Sequence, residues 1–459
     1  MLFSSIPFLY YFLPVVLAVY FLVPRSWRNA VLLMASLVFY DWGEPRYLLL
    51  MVGTILVFYV CGLGVGRVKG AGQRKVLLIL SLVIGLGLLA VFKYADFFVE
   101  NFAAMTGLNL PLLKLALPIG ISFYTFQCVS YVVDVYRGTV PAQRSPIAFG
   151  AYVALFPQLI AGPIVRYADI ARELENRHAG WEDLQIGLRR FLVGLGKKIL
   201  LANQLGELAG IYRASGEKSL VFCWMYAIAF SLQIYFDFSG YSDMAIGLGR
   251  ILGFHFNENF NYPYLSKSVT EFWRRWHMSL GTWFRDYVYI PMGGSRVRRG
   301  RWVCNILTVW MLTGLWHGAS WNFVVWGLFF GLLLMLEKWL KPERLPGLVR
   351  HGYVVLAVVI SFVIFGGENL GQAWQDILGM FGAGGLPLMT VQTAYYLRSY
   401  AVILALSILG AAPLVRNLSN RIPEKIAVVL EPIAMIALLL VCSAYLVDGS
   451  FNPFLYFRF

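Results

Sequence analysis

The sequence predicts an all-α polytopic membrane protein, and three observations carry that prediction. Apolar residues make up 59% of the 459-residue chain and charged residues only 14%, whereas a soluble domain carries about 25% charged residues. Apolar segments of roughly membrane-spanning length recur from one end to the other. The loops between them alternate between Lys/Arg-rich and Lys/Arg-free. One soluble domain cannot bury that much apolar surface under polar cover. An ordinary cytosolic enzyme, a disordered chain and a disulfide-rich secreted module are therefore excluded.

Taken in order, the first apolar run covers 2–23 and has no Lys or Arg before Arg25. A signal peptide would carry a basic leader and a small-residue cleavage site, so this run is expected to stay as a first helix with its N-terminus outside. Further segments follow at 30–40, 46–66, 76–95, 115–136, 147–165, 186–211, 219–236, 240–254, 303–318, 321–337, 352–366, 394–415 and 427–447. Several are short or rich in Gly and Pro, so about nine to eleven are expected to be true spans. The stretch 149–166, with Pro157, Gly162 and Pro163, is expected to be re-entrant or broken. Irregular backbone is tolerated at membrane depth only where protein or water surrounds it.

The net charge of +14 is read as topology and not as a nucleic-acid footprint. Basic residues gather in Arg67–Lys75, Arg137–Arg144, Arg296–Arg301, Lys338–Arg350 and Arg416–Lys425, whereas 96–111 and 366–393 contain none. That alternation places the tail at 448–459 on the outer side. The whole chain, 1–459, reads as one integral membrane domain. Its five cysteines are far apart with no CxxC pair, so they read as buried hydrophobes with no zinc cage or disulfide framework.

Ionisable groups inside apolar context are the informative ones in such a protein. One cluster runs from Tyr235 to Asp243 and contains Asp237, Ser239, Ser242 and Asp243. It falls between an apolar segment and the helix-like 244–252. Asp243 has the character of a helix cap there, and Asp237 is expected to pair with a buried Lys or Arg. A second cluster lies in an amphipathic segment at about 269–292. At 100° per residue, Phe272, Trp273, Trp276, Leu280, Trp283 and Tyr287 share one face, and Arg274, His277, Gly281 and Arg285 form a narrow stripe. Glu271 and Arg275 are spaced for an i,i+4 pair. Two readings stand for this segment: an interfacial helix with an aromatic belt, or an Arg/His stripe lining a site for an anionic or acyl-bearing ligand.

Of five histidines, His178 and His351 fall in polar loops, and His255 follows a Gly-Phe pair. His317 sits in Gly314-Leu-Trp316-His317-Gly318, with no charged neighbour between Trp302 and Leu336. An imidazole there is costly to protonate and stays ready to accept a proton. A general base, a hydrogen-bonded core histidine and a metal ligand all remain open, the last without any HExxH spacing to support it.

The segments YFDFSGYSDMAIGLGRILGF (235–254), NENFNYPY (257–264), EFWRRWHMSLGTWFRDYVYIPMGG (271–294) and GLWHGASWNFVVWG (314–327) resemble the membrane-bound O-acyltransferase superfamily. Within it the chain looks like the bacterial branch of the alginate O-acetyltransferase membrane subunit and the teichoic-acid D-alanylation membrane protein. The likeness spans nearly the whole chain, with Gly281 standing where Ser is common. It implies a ring of tilted helices around a central funnel, with re-entrant and interfacial helices. It implies that His317 is the catalytic histidine and His277 its partner. Acyl transfer to a hydroxyl also needs stabilisation of the developing oxyanion, for which Arg274, Arg275 and Asn322 are candidates. Trp316, Asp237, Ser239 and Asp243 complete the expected substrate-binding set.

The reaction so implied moves an acetyl group from a cytoplasmic thioester, most simply acetyl-CoA, toward an extracytoplasmic polysaccharide of the alginate type. Cellulose, peptidoglycan and teichoic acid (by D-alanyl transfer) are the alternatives, and an acyl-group transporter or flippase is the rival class. No permanently bound cofactor or metal is expected. The resemblance further implies a bacterial inner-membrane location, a polysaccharide-synthesis complex, and a periplasmic SGNH-hydrolase-like partner that completes transfer. Tyr456, in the outward tail, is a candidate acyl relay, although a neutral tyrosine needs an activating base.

Overall fold

A computed structural model describes residues 2–341, 344–449 and 455. Tyr456 therefore lies outside the described residues. Among the described residues every regular element is a helix, as expected of a chain whose backbone must satisfy itself in lipid. Seven of these helices are long and apolar enough to cross a membrane: Pro45–Arg67, Ala71–Thr106, Leu220–Ile251, Trp321–Leu340, Gly347–Gly366, Val391–Gly410 and Glu424–Asp448. The N-terminal run is helical to Leu22 and stops before Pro24, whose ring disfavours helical backbone at the residue before it.

The segment expected to be broken is broken. Ser145 caps the helix Pro146–Ala154 by accepting the N–H of Ala148 at 3.2 Å. The backbone departs from helix at Leu155, turns once more through Phe156–Leu159, and stays non-helical up to the helix Tyr167–Glu175. Residues 155–165 are all buried, which is the setting in which such backbone is tolerated.

Two expectations are corrected. The sequence placed a break between apolar segments at 219–236 and 240–254, with Asp243 as a helix cap. Leu220–Ile251 is instead one continuous 32-residue helix, and Asp243 lies inside it, bonded to Arg190. The polar residues Asp237 and Ser239 interrupt the apolar run without ending the helix, and Gly240 marks no turn. A Cβ there would meet the carbonyl oxygen of Gly194 at 2.7 Å, so this glycine lets two backbones touch.

The second correction concerns the amphipathic segment 269–292, which is not one helix. It forms Val269–Trp273 and Met278–Phe284, separated by a turn in which His277 takes φ 43° and ψ 53°. A non-glycine residue in this left-handed region is uncommon and points to a local constraint.

The chain divides into two compact units, Met1–Phe191 with Ser242–Asn257, and Leu192–Tyr241 with Glu258–Phe459. The first is cored by aromatic clusters, including Tyr131, Phe149, Tyr152 and Tyr167. In the second, Arg299–His317 and Trp321–Leu340 form a tight antiparallel hairpin. A Cβ on Gly314 would lie 2.2 Å from the Phe323 carbonyl oxygen, and one on Gly327 2.2 Å from that of Trp310. Backbone-to-backbone packing of this kind holds His317, the last residue of its helix, at the hairpin tip.

Candidate active site

The site is built around the turn that carries His277. Helix Val269–Trp273 is too short to be stable alone, and two side chains hold its start. Ser268 Oγ accepts the N–H of Glu271 at 3.0 Å. The carboxylate of Glu337, from helix Trp321–Leu340, accepts the N–H of Val269 and both the N–H and hydroxyl of Thr270, the latter two at 3.1 Å. A carboxylate at a helix N-terminus is favourable because free N–H groups and the helix dipole face it.

Beyond the turn, Asn259 anchors His277. The backbone carbonyl of Asn259 accepts the N–H of Met278 at 3.0 Å. Its side-chain oxygen accepts the N–H and hydroxyl of Ser279 at 3.3 and 2.9 Å and lies 3.1 Å from His277 Nδ1. Because the Ser279 N–H can only donate, the Asn259 atom it meets is the oxygen, and the His277 Nδ1 beside that oxygen carries the proton. His277 Nε2 is then a lone-pair acceptor; it is buried and has no hydrogen-bond partner among the described residues. Burial pushes the His277 imidazole down to about 3, so the ring is neutral at physiological pH.

His277 lines a cavity of about 790 Å³ with Lys267, Arg274, Arg285, Lys338 and Arg350, against the carboxylates of Glu271 and Glu337. Trp273 Nε1 and Arg350 Nε, on two further lining residues, are also buried without partners among the described residues. Buried polar atoms are nearly always hydrogen-bonded, so three such atoms on residues that line one cavity set its wall apart as polar. The excess of cations suits an anionic one.

His317 is 9% exposed, and its ring meets Trp326 and Phe365 at centroid distances of 5.1 Å each. One indole touches both imidazoles: Trp316 lies 5.7 Å from His277 and 4.9 Å from His317. Thr313 and Trp310, one and two turns before His317 on its helix, line the cavity.

The family model of the membrane-bound O-acyltransferases matches residues 141–365, a span that contains both histidines. The probable alginate O-acetylase AlgI of Azotobacter vinelandii is 39% identical over the whole of both chains. The chain belongs to the membrane-bound O-acyltransferase family. The peptidoglycan O-acetyltransferase of Helicobacter pylori is 32% identical over 84% of this chain and 81% of its own. The teichoic acid D-alanyltransferase of Bacillus subtilis is 30% identical over 54% of this chain and 67% of its own.

Within this membrane O-acyltransferase, the expected site residues separate into those at the cavity and those elsewhere. His277, Arg274, Gly281 and Arg285 all line it, although the helix that was expected to align them is broken. Arg275 is held away by Glu271, at 2.9 and 3.0 Å, and by the Asn261 carbonyl at 3.1 Å. Asn322 donates its amide hydrogens to the carbonyls of Gly367 and Phe365 at 2.9 and 3.4 Å, so neither is directed at an oxyanion. Asp237 pairs with Lys198 at 2.6 Å, as anticipated, and accepts the N–H of Leu455 at 2.9 Å. Ser239 is buried on the same helix, and Asp243 belongs to the first unit. None of these last three lines the cavity, and neither do Arg275, Asn322, Trp316 or His317. Sequence reasoning missed Asn259, Glu337, Lys267 and Arg350. The only advance signal for Asn259 was its place in the NENFNYPY segment.

Proposed function

We propose that this acyltransferase moves an acetyl group from a cytoplasmic thioester, acetyl-CoA, to a hydroxyl acceptor on the route to an extracytoplasmic polysaccharide of the alginate type. The observation that carries this reading is a pair of buried imidazoles around one indole, beside a cavity whose polar wall is cationic. The higher identity to relatives named for alginate than to those named for peptidoglycan or teichoic acid supports the choice of polymer.

In this mechanism His317 takes the proton of the acceptor hydroxyl as its oxygen attacks the thioester carbonyl. The carbonyl π pair moves onto oxygen to give a tetrahedral oxyanion. Collapse re-forms the carbonyl, breaks the C–S bond, and releases the thiol with the proton held by His317. His277 stays neutral and positions the reactants through Nε2. Arg274 lines the cavity, and its guanidinium meets no carboxylate or hydrogen-bond acceptor among the described residues, so it is available to the oxyanion or to the donor's phosphates. Arg275 and Asn322 are engaged elsewhere and take no part. A periplasmic SGNH-hydrolase-like protein then completes transfer to the polymer, with both proteins in a synthesis complex at the bacterial inner membrane.

The test is polymer acetyl content in cells carrying His317→Ala at wild-type protein level. Loss of acetyl groups is expected. Unchanged acetylation would refute the reading and favour an acyl-group transporter, which has no transfer step to lose.

A further inference from the structure

The first unit holds a second cavity, of about 360 Å³, that shares no lining residue with the acyl-transfer site. It opens beside the end of helix Leu13–Leu22 and the segment after Tyr167–Glu175. Arg25, Arg28, Arg177 and His178 line it, with Glu175 as the one carboxylate among the described lining residues.

Arg177 is only 9% exposed, yet every partner of its guanidinium is neutral. Nε donates to the Tyr20 hydroxyl at 2.7 Å, and Nη1 donates to Asn29 Oδ1 at 2.7 Å and to the Glu173 carbonyl at 3.3 Å. The group lies 4.7 Å from the centroid of Phe254 and 5.5 Å from that of Tyr20. Its Nη2 is buried and has no hydrogen-bond partner among the described residues. Arg190, Arg213 and Arg250, which are half-buried, each face a carboxylate. Arg28 repeats the pattern of Arg177: it stacks on the same Tyr20 ring at 5.0 Å, and its buried Nε also lacks an acceptor.

Two guanidiniums that share one aromatic ring thus line the same polar cavity, and each carries an N–H with no acceptor among the described residues. A buried cation with no counter-charge is strongly disfavoured, and an anion with several oxygens would satisfy both donors together. The planar fork of arginine matches phosphate oxygens in that way. The geometry points to a phosphate-binding site formed by Arg28 and Arg177, for a phosphate mono- or diester carried by a phospholipid headgroup or for free phosphate. Exposed Leu22 and Trp27, 84% and 64% accessible, flank the site. Tryptophan at the end of an apolar helix is typical of the headgroup layer, which favours the lipid as the source.

The experiment uses the purified full-length protein in an uncharged, phosphate-free detergent. Its thermal midpoint is followed on titration with phosphatidylglycerol, with diacylglycerol, and with inorganic phosphate against chloride at matched ionic strength. Phosphatidylglycerol is expected to raise the midpoint and diacylglycerol to leave it unchanged. Arg28→Gln is expected to need about ten- to a hundred-fold more phosphatidylglycerol for the same shift, and Arg177→Lys to respond equally weakly. A wild-type shift with inorganic phosphate that Arg28→Gln loses also supports the site and assigns it to free phosphate. Identical responses in wild type and Arg28→Gln, no response to any phosphate, or an equal response to diacylglycerol would each overturn the site. Arg28→Gln leaves the Arg177 contacts with Tyr20 and Asn29 in place, so the result does not depend on whether the Arg177 variant folds.

Discussion

Replacing Asp237 with asparagine removes one charge from a pair that is almost wholly buried. Lys198 Nζ lies 2.6 Å from Oδ1, and the two side chains are 3% and 4% exposed. Asparagine keeps the shape of the group and an oxygen to accept the Leu455 N–H, so the change isolates the charge. Breaking such a pair strands the surviving ion and costs about 3–5 kcal/mol. An unfolding entropy near 2.1 cal/mol/K per residue amounts to roughly 1 kcal/mol/K for a chain of this size, so the midpoint should fall by about 3–5 °C. Lys198→Met should do the same by stranding the carboxylate. The double variant carries neither charge and should return most of the loss, so the coupling energy should approach the sum of the two single losses, about 5–9 kcal/mol. Thermal midpoints of the four proteins in one detergent measure this cycle, and polymer acetylation provides a second readout. Single losses that simply add in the double variant would refute the ion-pair argument. A stable but inactive double variant would return Asp237 to the groups that contact substrate.

Two further outcomes follow from the second unit. Gly314→Ala places a Cβ about 2.2 Å from a backbone oxygen that cannot swing aside, so the hairpin must open at a cost of about 1–3 kcal/mol. Gly300→Ala, on the first turn of the same helix with nothing within 4 Å, should be neutral or stabilising, and equal midpoints for the two variants would remove the close-packing argument. His277 supplies a pH dependence, because its folded value lies near 3 against 6.5 when unfolded. Stability is full above 6.5 and declines as pH falls from there toward 3, since the unfolded chain takes up the proton first. Between pH 7.5 and 5.5 this amounts to about 1.4 kcal/mol. His277→Gln should lose that increment of acid sensitivity in paired denaturation curves, and parallel curves would show that the ring is not held neutral.

What the sequence made legible was whatever depends on composition and local order. Apolar runs gave the all-α membrane fold, the turn residues Pro157, Gly162 and Pro163 gave the broken segment, and isolation in an apolar run singled out His317. The Arg274, His277, Gly281 and Arg285 stripe does line one cavity, but by an incomplete argument. Helical spacing grouped these residues, but a left-handed residue at His277 breaks the helix and no residue type announced it. The break at 237–239 was misplaced because polar residues buried within a long helix and polar residues at its end look alike in a single chain. The counter-charges, Lys198 for Asp237 and Arg190 for Asp243, come from segments far away in sequence, where periodicity carries no information. Asn259 was invisible as an anchor for the same reason: its role exists only once Ser279 and His277 fold back onto it.

Helix Trp321–Leu340 has a consequence of its own. It begins beside the hairpin tip that carries His317, and through Glu337 it grips the short helix that leads into His277. From Asn322 to Glu337 it spans roughly 22 Å at 1.5 Å per residue. It therefore acts as a ruler. It sets the distance from the hairpin tip to the start of the short helix, whose first residues Glu337 holds. A single residue inserted between 323 and 336 would turn Glu337 by about 100° away from its partners, loosening that helix start while Asn259 still holds the turn at His277. One helix thus ties the tip that carries His317 to the element that leads into His277.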